Sequence, residues 1–429
     1  MIGLTLLGSV LSLFVLASPD LTGTWRGTMT MDGRSIEIVG WFEPDGEELS
    51  ATLHVPALGA MNLAFSGQRQ NHEVELRSPM PGGPLVLEGT LLEGDRLRGR
   101  WSWTGQSGEL SLSRRETHRL FREEPVSFRS SDGTSLAGTV LIPQGEGPFP
   151  AVVWVHGSGG IGRRSEDYIR EPYALALRGV AAIVYDKRGV GDSGGDWRSA
   201  TFHDLARDAL AARSALLERG EIDADRVGIG GISQGPSWIA PLACHLGADF
   251  RFVIALSAAI VTPAEQHLYV VRQRMLRAGH GEDEIARALA LHRRFDAWQQ
   301  APADGRPKSD ELERDLVAAK EFAWGEAALL PATPLVAYPE SVRAWMWLDP
   351  VPWWRELDVR VFAAWGASDD ITDPESGPEL LAPLVGDSLE AHRYEGADHV
   401  LRLIVPRPPA PVAPSLHDDL IRWIEVGSR

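Results

Sequence analysis

The stretch 226–236, RVGIGGISQGP, decides the fold because a Gly-Ile-Ser-Gln-Gly turn within it joins a predicted strand to a predicted helix. Residues 227–232 form an apolar run, and Pro236 suits a first helical turn, where its missing N–H costs nothing. A serine on such a turn, here Ser233, is held in a strained backbone, and the flanking glycines let neighbouring chain pass close by. The helix N-terminus beneath it adds partial positive charge and free N–H groups. The pattern therefore predicts Ser233 as a nucleophile.

A nucleophilic serine needs a base and a group that orients the base. Downstream, the predicted strand 359–365 leads into the loop that carries Asp369. A carboxylate just past the carboxyl end of a parallel strand faces the same crevice as Ser233. Asp369 is therefore the predicted orienting acid, and Asp370 and Asp373 are the alternatives.

The predicted base is His399, which lies on the loop after the next short strand, 389–394. On that loop the imidazole can reach both the serine and the acid, in the chain order Ser, Asp, His. The other two candidates are His392, within the strand, and His417, on the terminal helix, and for both we expect a surface or core role. Asp398 competes as the acid, but adjacent residues rarely point at each other's functional atoms.

A glycine-rich loop, HGSGG at 156–160, directly follows the predicted strand 151–155. One backbone N–H of this loop and that of Gln234 are expected to point at a developing oxyanion. The stretch 157–162 also matches Gly-x-Gly-x-x-Gly, and with Asp186 at the end of the next strand it suggests a dinucleotide site. That interpretation leaves the serine, aspartate and histidine candidates unexplained, so we rank it below the first.

Outward from the serine, continuous apolar runs alternate with helical stretches. Such runs are typical of strands buried on both faces, and the alternation predicts an α/β protein with a doubly wound, mostly parallel sheet. Residues 262–347 interrupt the alternation with helical patterns and are expected to form an inserted helical cap. The predicted strands are 151–155, 180–184, 227–232, 252–256 and 359–365.

Residues 20–115 have a different pattern, with short alternating strands separated by Asp-Gly or Gly-Asp turns. This predicts a small antiparallel all-β domain, closed as a barrel or packed as a sandwich so that its edges are hidden. Four tryptophans are expected to fill its core: Trp25, Trp41, Trp101 and Trp103. A charged connector, 114–124, separates this domain from a catalytic domain expected over 124–427.

The composition excludes several classes of function. Lys and Arg number 42 against 59 Asp and Glu, a net charge of −17, which would repel a phosphate backbone and disfavours nucleic acid as a partner. A single cysteine, Cys244, excludes an internal disulfide framework and any multi-cysteine metal site. No metal-binding motif occurs, so neither a metal nor another cofactor is implied, and nothing indicates the oligomeric state.

Residues 1–16, MIGLTLLGSVLSLFVL, are an uncharged apolar run followed by the small residues Ala17 and Ser18. The run is short for a membrane span and fits the core of a secretory signal, although no Lys or Arg precedes it. We expect a signal peptide over 1–18 and export to the periplasm or the extracellular space. The alternatives are an uncleaved anchor and a buried helix.

Four further stretches stand out together: PFPAVV at 148–153, HGSG at 156–159, YDKRGVGDS at 185–193 and IAP at 239–241. With them, the chain resembles the α/β-hydrolase superfamily over about residues 124–427. More narrowly, it is similar to exported bacterial esterases that carry an N-terminal β-domain and a helical cap, and LTGTWRG at 21–27 resembles the β-domain of such proteins. The serine turn departs from these relatives at Ile232, where they often have His, and at Pro236, where they often have Gly.

The resemblance implies Ser233, Asp369 and His399 as a catalytic triad, with the backbone N–H groups of Ser158 and Gln234 forming the oxyanion hole. It implies a serine hydrolase that cleaves small-molecule carboxylic esters through an acyl-enzyme and needs no cofactor. A peptidase or thioesterase on the same fold is the nearest alternative. A non-catalytic binding protein on the same scaffold and a nicotinamide-dependent reductase are the alternatives from other classes.

Overall fold

The computed structural model describes residues 21–93, 95–116, 120–247, 249–302, 304, 306–404, 412–413 and 415–426. The predicted signal peptide, residues 1–18, lies outside the described residues and stays a prediction. The chain divides into two compact units. One consists of the described residues of Met1–His54 and Asn62–Arg119, and the other of those of Val55–Met61 and Leu120–Arg429.

The first unit is a closed antiparallel barrel of eight strands in chain order. Burial alternates along its strands, most regularly in β5, because successive side chains of a strand point to opposite faces. Closure leaves no unpaired edge. The strands are β1 Gly23–Met31, β2 Arg34–Asp45, β3 Glu48–Val55, β4 Ala60–Gln70, β5 Glu73–Ser78, β6 Leu85–Leu92, β7 Arg96–Trp103 and β8 Gln106–Glu116.

Two of the four barrel tryptophans fill the core as expected. Trp25 and Trp101 are 1% and 2% exposed, and their indole N–H groups donate to the carbonyls of Leu21 and Thr30, both at 2.9 Å. Trp41 and Trp103 are only half-buried, so the expectation is wrong for them. Trp41 precedes the buried Phe42 and therefore faces the opposite side of β2, and Trp103 is the last residue of β7.

The second unit contains a mixed sheet of eight strands in the order β16-β15-β14-β13-β11-β12-β10-β9. The six strands from β16 to β12 are mutually parallel, and β10 and β9 pair antiparallel at one edge. The central strands are fully buried, which explains their continuous apolar sequences. The strands are β9 Phe121–Arg129, β10 Ser135–Pro143, β11 Phe149–Val155, β12 Ala181–Tyr185, β13 Ile222–Ile232, β14 Phe252–Leu256, β15 Arg360–Gly366 and β16 Leu389–Tyr394.

Helices α4 to α7 fall between β14 and β15, where the sequence predicts the cap. Helix α4 begins with a capping box in which Thr262 and Glu265 satisfy each other's backbone N–H groups. Val271, Ile285 and Leu316, from three successive cap helices, share a small apolar core. The helices are α1 Glu166–Ala176, α2 Phe202–Leu217, α3 Ala240–His245, α4 Pro263–Arg277, α5 Glu282–Gln300, α6 Asp310–Lys320, α7 Glu340–Met346, α8 Val351–Arg355, α9 Ser376–Val385 and α10 Leu416–Val426.

The predicted fold class is confirmed: an antiparallel barrel precedes a mostly parallel α/β sheet with inserted helices. The parallel topology brings the carboxyl ends of β11, β13 and β15 to one edge of the sheet. Within the described part of the chain, no helix is both long enough and apolar enough to cross a membrane.

Candidate active site

Ser233 stands at the sharp turn between β13 and a π-helical turn, Gly235–Ile239, and has a φ of +62°. Non-glycine residues rarely adopt this left-handed conformation, and the cost is retained where the surrounding structure enforces it. The surroundings of the two flanking glycines, Gly231 and Gly235, show how closely β11 passes this turn. A side chain on Gly231 would place its Cβ 2.5 Å from the Val155 carbonyl oxygen, and one on Gly235 would place it 2.9 Å from the same atom. The close passage of β11 therefore requires glycine at both glycine positions of the Gly-x-Ser-x-Gly sequence.

The loop after β11 approaches the serine closely. A Cβ built on Gly157 would lie 3.8 Å from the Cβ of Ser233, in ordinary van der Waals contact. Gln234 follows the serine at the start of the helical segment, so its backbone N–H has no acceptor within that helix. Ser158 and Gln234 both line the same cavity. The two backbone segments expected to bind an oxyanion thus flank the turn that carries Ser233.

Asp369 and His399 form a hydrogen-bonded pair at the ends of neighbouring parallel strands. The His399 Nδ1 atom lies 3.0 and 2.9 Å from the two carboxylate oxygens of Asp369. This contact assigns the proton to Nδ1 and leaves Nε2 as the nitrogen that can accept one. Among the described residues, the Ser233 hydroxyl makes no hydrogen bond to His399. Catalytic hydrogen bonds are often long or poorly aligned before substrate binds.

The Asp369 carboxylate is 3% exposed and receives further hydrogen bonds. The backbone N–H groups of Ile371 and Thr372 donate to Oδ1 at 2.8 and 2.9 Å, and the Thr372 hydroxyl donates to Oδ2 at 2.5 Å. Burial raises the pKa of this carboxyl, but the hydrogen bond and the charge of His399, together with the hydrogen bonds from Thr372, outweigh burial, so the net pKa lies below the usual value. Asp369 is therefore held ionised beside the imidazole.

The alternative acids are engaged elsewhere. Asp370 pairs with Arg277 of the cap. Asp373 accepts the backbone N–H groups of residues 375 and 376, at 3.0 and 3.3 Å, at the start of α9. Asp398 accepts the N–H groups of residues 400 and 402, at 3.0 and 2.9 Å, and so holds the turn of the histidine loop.

The alternative histidines, His392 and His417, also lie in other environments. His392 lies within β16, where its Nε2 is 2.9 Å from Glu390 and its ring stacks on Phe362. His417 is buried in α10, and this burial, with two nearby arginine charges, lowers its pKa to about 3. Neither ring contacts Ser233 or Asp369 within the part of the chain that the structure describes.

The residues that suggested a dinucleotide site have another structural role. The Asp186 carboxylate accepts the backbone N–H of Arg163 at 2.7 Å and that of Asp192 at 3.0 Å, and it also pairs with the Arg163 guanidinium. Helix α1 begins at Glu166, beyond the last glycine of 157–162. An acid bound in this way is not available for a ribose hydroxyl, and the glycines do not open the helix as a dinucleotide fold requires.

A cavity of about 890 Å³ extends from the loop after β11 to the cap. Its walls are mainly aromatic and aliphatic, and they include Phe202, Trp238 and Trp345. Its polar lining includes Ser158, Gln234 and Lys187 near the serine turn and His267, His292 and Asp296 on the cap. Such a volume suits a small organic molecule that has an apolar body and a few polar groups.

Residues 147–403, more than half of the chain, match the serine aminopeptidase S33 family. The matched span contains the serine turn, the Asp369–His399 pair and the whole cap. The chain belongs to this family. The predicted resemblance to the α/β hydrolases is thereby confirmed.

One curated relative is the esterase EstD of Thermotoga maritima, which is 34% identical over 142 residues, covering 31% of this chain and 33% of the relative. The chain therefore spans about a third of that relative's length. Two esterases are among the similar solved structures. Pf2001 of Pyrococcus furiosus has a TM-score of 0.42 at 16% identity, over 72% of this chain and 89% of its own. An acetyl xylan esterase from Paenibacillus sp. R4 has a TM-score of 0.44 at 18% identity, over 72% and 84%.

Sequence reasoning gave no functional role to His156, the first residue of the loop after β11, or to Lys187, and both are buried. The His156 Nε2–H donates to the Tyr185 carbonyl at 2.5 Å, and its ring stacks on Tyr168 with centroids 4.4 Å apart. Burial, with the Lys187 charge as a smaller contribution, lowers the pKa of His156 to about 3, so this ring is neutral. Lys187 had one available signal, since the sequence contains only three lysines and this one lies two residues beyond an apolar strand.

Proposed function

We propose that this member of the S33 family is a serine hydrolase that cleaves carboxylic esters, with Ser233 as nucleophile, His399 as base and Asp369 as the orienting acid. The hydrogen bond between the His399 Nδ1–H and the Asp369 carboxylate carries this proposal. It orients the imidazole with an unprotonated Nε2 and places a buried negative charge where the imidazolium develops. The fold and the family membership support the same chemistry.

In the acylation half-reaction, Ser233 Oγ forms a bond to the acyl carbon while its proton passes to Nε2 of His399. The carbonyl π electrons move to the oxygen, which the N–H groups of Ser158 and Gln234 stabilise. Collapse of this intermediate breaks the bond to the alcohol oxygen, and His399 returns the proton to that oxygen as the alcohol leaves. The acyl group remains on Ser233.

Deacylation repeats these steps with water. His399 takes a proton from water, whose oxygen attacks the acyl carbon and forms a second tetrahedral intermediate. The bond to Ser233 Oγ then breaks, and His399 protonates Oγ as the carboxylic acid is released. Asp369 stays ionised throughout and stabilises the imidazolium of each half-reaction.

The cavity supports a small-molecule ester as substrate. Its aromatic walls suit an apolar acyl or alcohol group, and its polar end lies beside Ser158 and Gln234, where the ester carbonyl must bind. The similarity of part of this chain to an esterase points the same way.

Labelling with a fluorophosphonate followed by peptide mapping tests the proposal. The reagent traps an activated serine without knowledge of the substrate. We expect one adduct, on Ser233, which is lost in Ser233→Ala and in His399→Ala and kept in Ser199→Ala, a change at an exposed serine. A folded protein that stays unlabelled would overturn the proposal and favour a binding protein on this scaffold.

Amide hydrolysis is the second candidate, and one feature of the cavity favours it besides the family description. Asp296 lines the cavity and makes no hydrogen bond or ion pair within the described residues, so it could accept the ammonium group of an aminoacyl substrate. A panel of p-nitrophenyl esters and aminoacyl p-nitroanilides separates the two candidates. A higher kcat/KM on anilides, lost in Asp296→Asn, would establish the peptidase instead of the esterase.

A further inference from the structure

Lys187 lies two residues beyond the end of β12 and is 3% exposed. Its Nζ atom lies 2.9 Å from the Gly157 carbonyl oxygen, 3.0 Å from that of Gly159 and 3.0 Å from Oε1 of Gln234. An ammonium group has three N–H donors, so these three bonds use all of them. One side chain thereby ties together the loop after β11 and the serine turn after β13.

The bond to Gly157 controls the direction of a neighbouring N–H. In a planar trans peptide the carbonyl of one residue and the N–H of the next point to opposite sides. Because the Gly157 carbonyl is held by Lys187, the N–H of Ser158 is directed away from the ammonium. The positive charge also polarises this peptide, which makes the Ser158 N–H a stronger donor.

The bond to Gln234 acts on the second donor segment. The Gln234 side chain is anchored to the ammonium, while its backbone N–H stays at the exposed start of the helical segment. Lys187 therefore sets the relative position of the two peptides that flank Ser233. Neither peptide belongs to the same element as the lysine, so only the folded chain creates this connection.

The charged groups around Lys187 do not compensate the unfavourable burial of its ammonium. Within the described part of the chain, the Lys187 Nζ atom pairs with no carboxylate. The neighbouring residue along the chain, Asp186, pairs with Arg163 instead. His156 is neutral, and Arg198 lies over Trp197, whose ring centroid is 6.0 Å from Nζ. Burial lowers the pKa of Lys187 to about 8. Burial of an ammonium without a carboxylate partner is costly even when its N–H groups are hydrogen-bonded, and buried groups with shifted pKa values cluster at functional sites.

We propose that Lys187 is a positioning residue of the oxyanion hole, aligning the Ser158 and Gln234 N–H groups through its bonds to Gly157, Gly159 and the Gln234 side chain. The proposal rests on the proposed function. Misaligned donors weaken the transition state more than the bound substrate, because full negative charge on the oxygen develops only in the tetrahedral state.

The direct test is Lys187→Met, which keeps an unbranched apolar stem and removes the ammonium. The matched controls are Lys308→Met and Lys320→Met, since these two exposed residues are the only other lysines of the sequence. In single-turnover acylation by p-nitrophenyl butyrate, we expect Lys187→Met to slow the reaction by roughly ten- to a hundredfold, with KM changed by less than about threefold. Both controls should match the wild type.

A trifluoromethyl ketone separates alignment of the oxyanion hole from a general structural role. This inhibitor forms a tetrahedral adduct with an activated serine, and its oxygen occupies the oxyanion hole. We expect its inhibition constant to rise in Lys187→Met by the same factor as acylation slows. An unchanged inhibition constant, or a loss that appears only in KM, would overturn the proposal.

Gln234→Met keeps the proposal testable if Lys187→Met does not fold. It removes one acceptor and preserves the backbone N–H of residue 234. We expect the wild-type acylation rate to fall above about pH 8 as Lys187 loses its proton. With one acceptor missing, the ammonium is less stabilised, so this alkaline limb should move to lower pH in Gln234→Met. An unmoved limb would contradict the proposal.

The outcomes distinguish the two proposals. A wild-type protein that takes up fluorophosphonate on Ser233, combined with a Lys187→Met variant of undiminished acylation, would overturn only the role of Lys187. A folded wild-type protein that neither takes up the label nor cleaves any ester would overturn the proposed function and the role of Lys187 together.

Discussion

Two aspartates of the second unit, Asp369 on the loop after β15 and Asp296 on cap helix α5, differ in the direction of their pKa shifts. Burial raises the pKa of both carboxyls. For Asp369 the hydrogen bond and the charge of His399, together with the hydrogen bonds from Thr372, outweigh burial, and the pKa falls below its usual value. For Asp296 burial acts alone and raises the pKa to about 6. The difference teaches that the donors around a buried carboxylate, rather than its depth, decide its charge.

The two environments suit different tasks. Asp369 is an ionised group held in one orientation, as a residue that orients a base must be. Asp296 lines an apolar cavity without a hydrogen-bond partner among the described residues, so its charge can respond to whatever enters. Four substitutions test this contrast.

The largest effect is expected from Asp369→Asn. An amide cannot stabilise the imidazolium and favours the wrong tautomer of His399, so kcat for ester hydrolysis should fall by about four orders of magnitude. The control is Asp370→Asn, which removes only the partly exposed pair with Arg277 and should change kcat by less than about twofold. A larger loss in Asp370→Asn than in Asp369→Asn would assign the acid to residue 370.

Thr372→Val should have the next largest effect. It removes the hydroxyl that donates to Asp369 Oδ2 and leaves a buried carboxylate with one donor fewer. We expect kcat to fall about tenfold and the free energy of unfolding to drop by about 1–2 kcal/mol. Thr372→Ser keeps the hydroxyl and should therefore keep most of the wild-type kcat and most of the free energy of unfolding. Steady-state kinetics and urea unfolding measure the two quantities. Equal losses in the two variants would mean that the methyl group matters and the hydrogen bond does not.

Asp296→Asn should stabilise the protein at neutral pH. Because the folded-state pKa, about 6, is raised above the unfolded value, the folded state binds more protons between about pH 4 and pH 6. Wild-type stability should therefore fall as the pH rises through this window. At pH 7 the variant should be more stable by about 1 kcal/mol after allowance for the partial exposure of the side chain, and the gain should vanish near pH 4. Urea unfolding across this range measures it.

Asp387→Asn, at an exposed carboxylate, is the control for that experiment. It should change the free energy of unfolding by much less than Asp296→Asn does at pH 7, as is usual for a surface substitution. A constant offset between Asp296→Asn and the wild type at all pH values would mean that Asp296 is not the group that titrates.

Tyr269→Phe should have the smallest effect. The Tyr269 hydroxyl of cap helix α4 donates to the Asp369 backbone carbonyl at 2.9 Å and does not touch the carboxylate. The donors on the carboxylate remain, so kcat should fall by no more than about threefold. A loss greater than that of Thr372→Val would show that the cap contact matters more to Asp369 than its own hydroxyl donor does.

Local pattern was sufficient for much of the architecture. The alternation of β5 and the apolar runs of the central strands are properties of adjacent residues, which is why they could be predicted. The tryptophans of the barrel show the limit of this reasoning. Which of them are buried depends on strand register and strand ends, and two of the four lie differently from the expectation.

The amino-acid sequence by itself determined the serine turn. Gly231, Ser233 and Gly235 identify a strand-to-helix turn because chain geometry at that point admits few other residues. It also determined that an aspartate and then a histidine follow in chain order at the ends of later strands.

Only the tertiary structure decided how these residues are connected. The sequence left three neighbouring aspartates open, and packing between β15 and β16 brings Asp369 to His399 while Asp370 meets Arg277. The three bonds of Lys187 likewise join residues that are distant along the chain, and the packed cap leaves Asp296 in the cavity wall without a hydrogen-bond partner among the described residues. Patterns of a few residues record turns and faces, whereas a hydrogen bond across the sheet depends on positions to within an ångström, which only the whole packed chain sets.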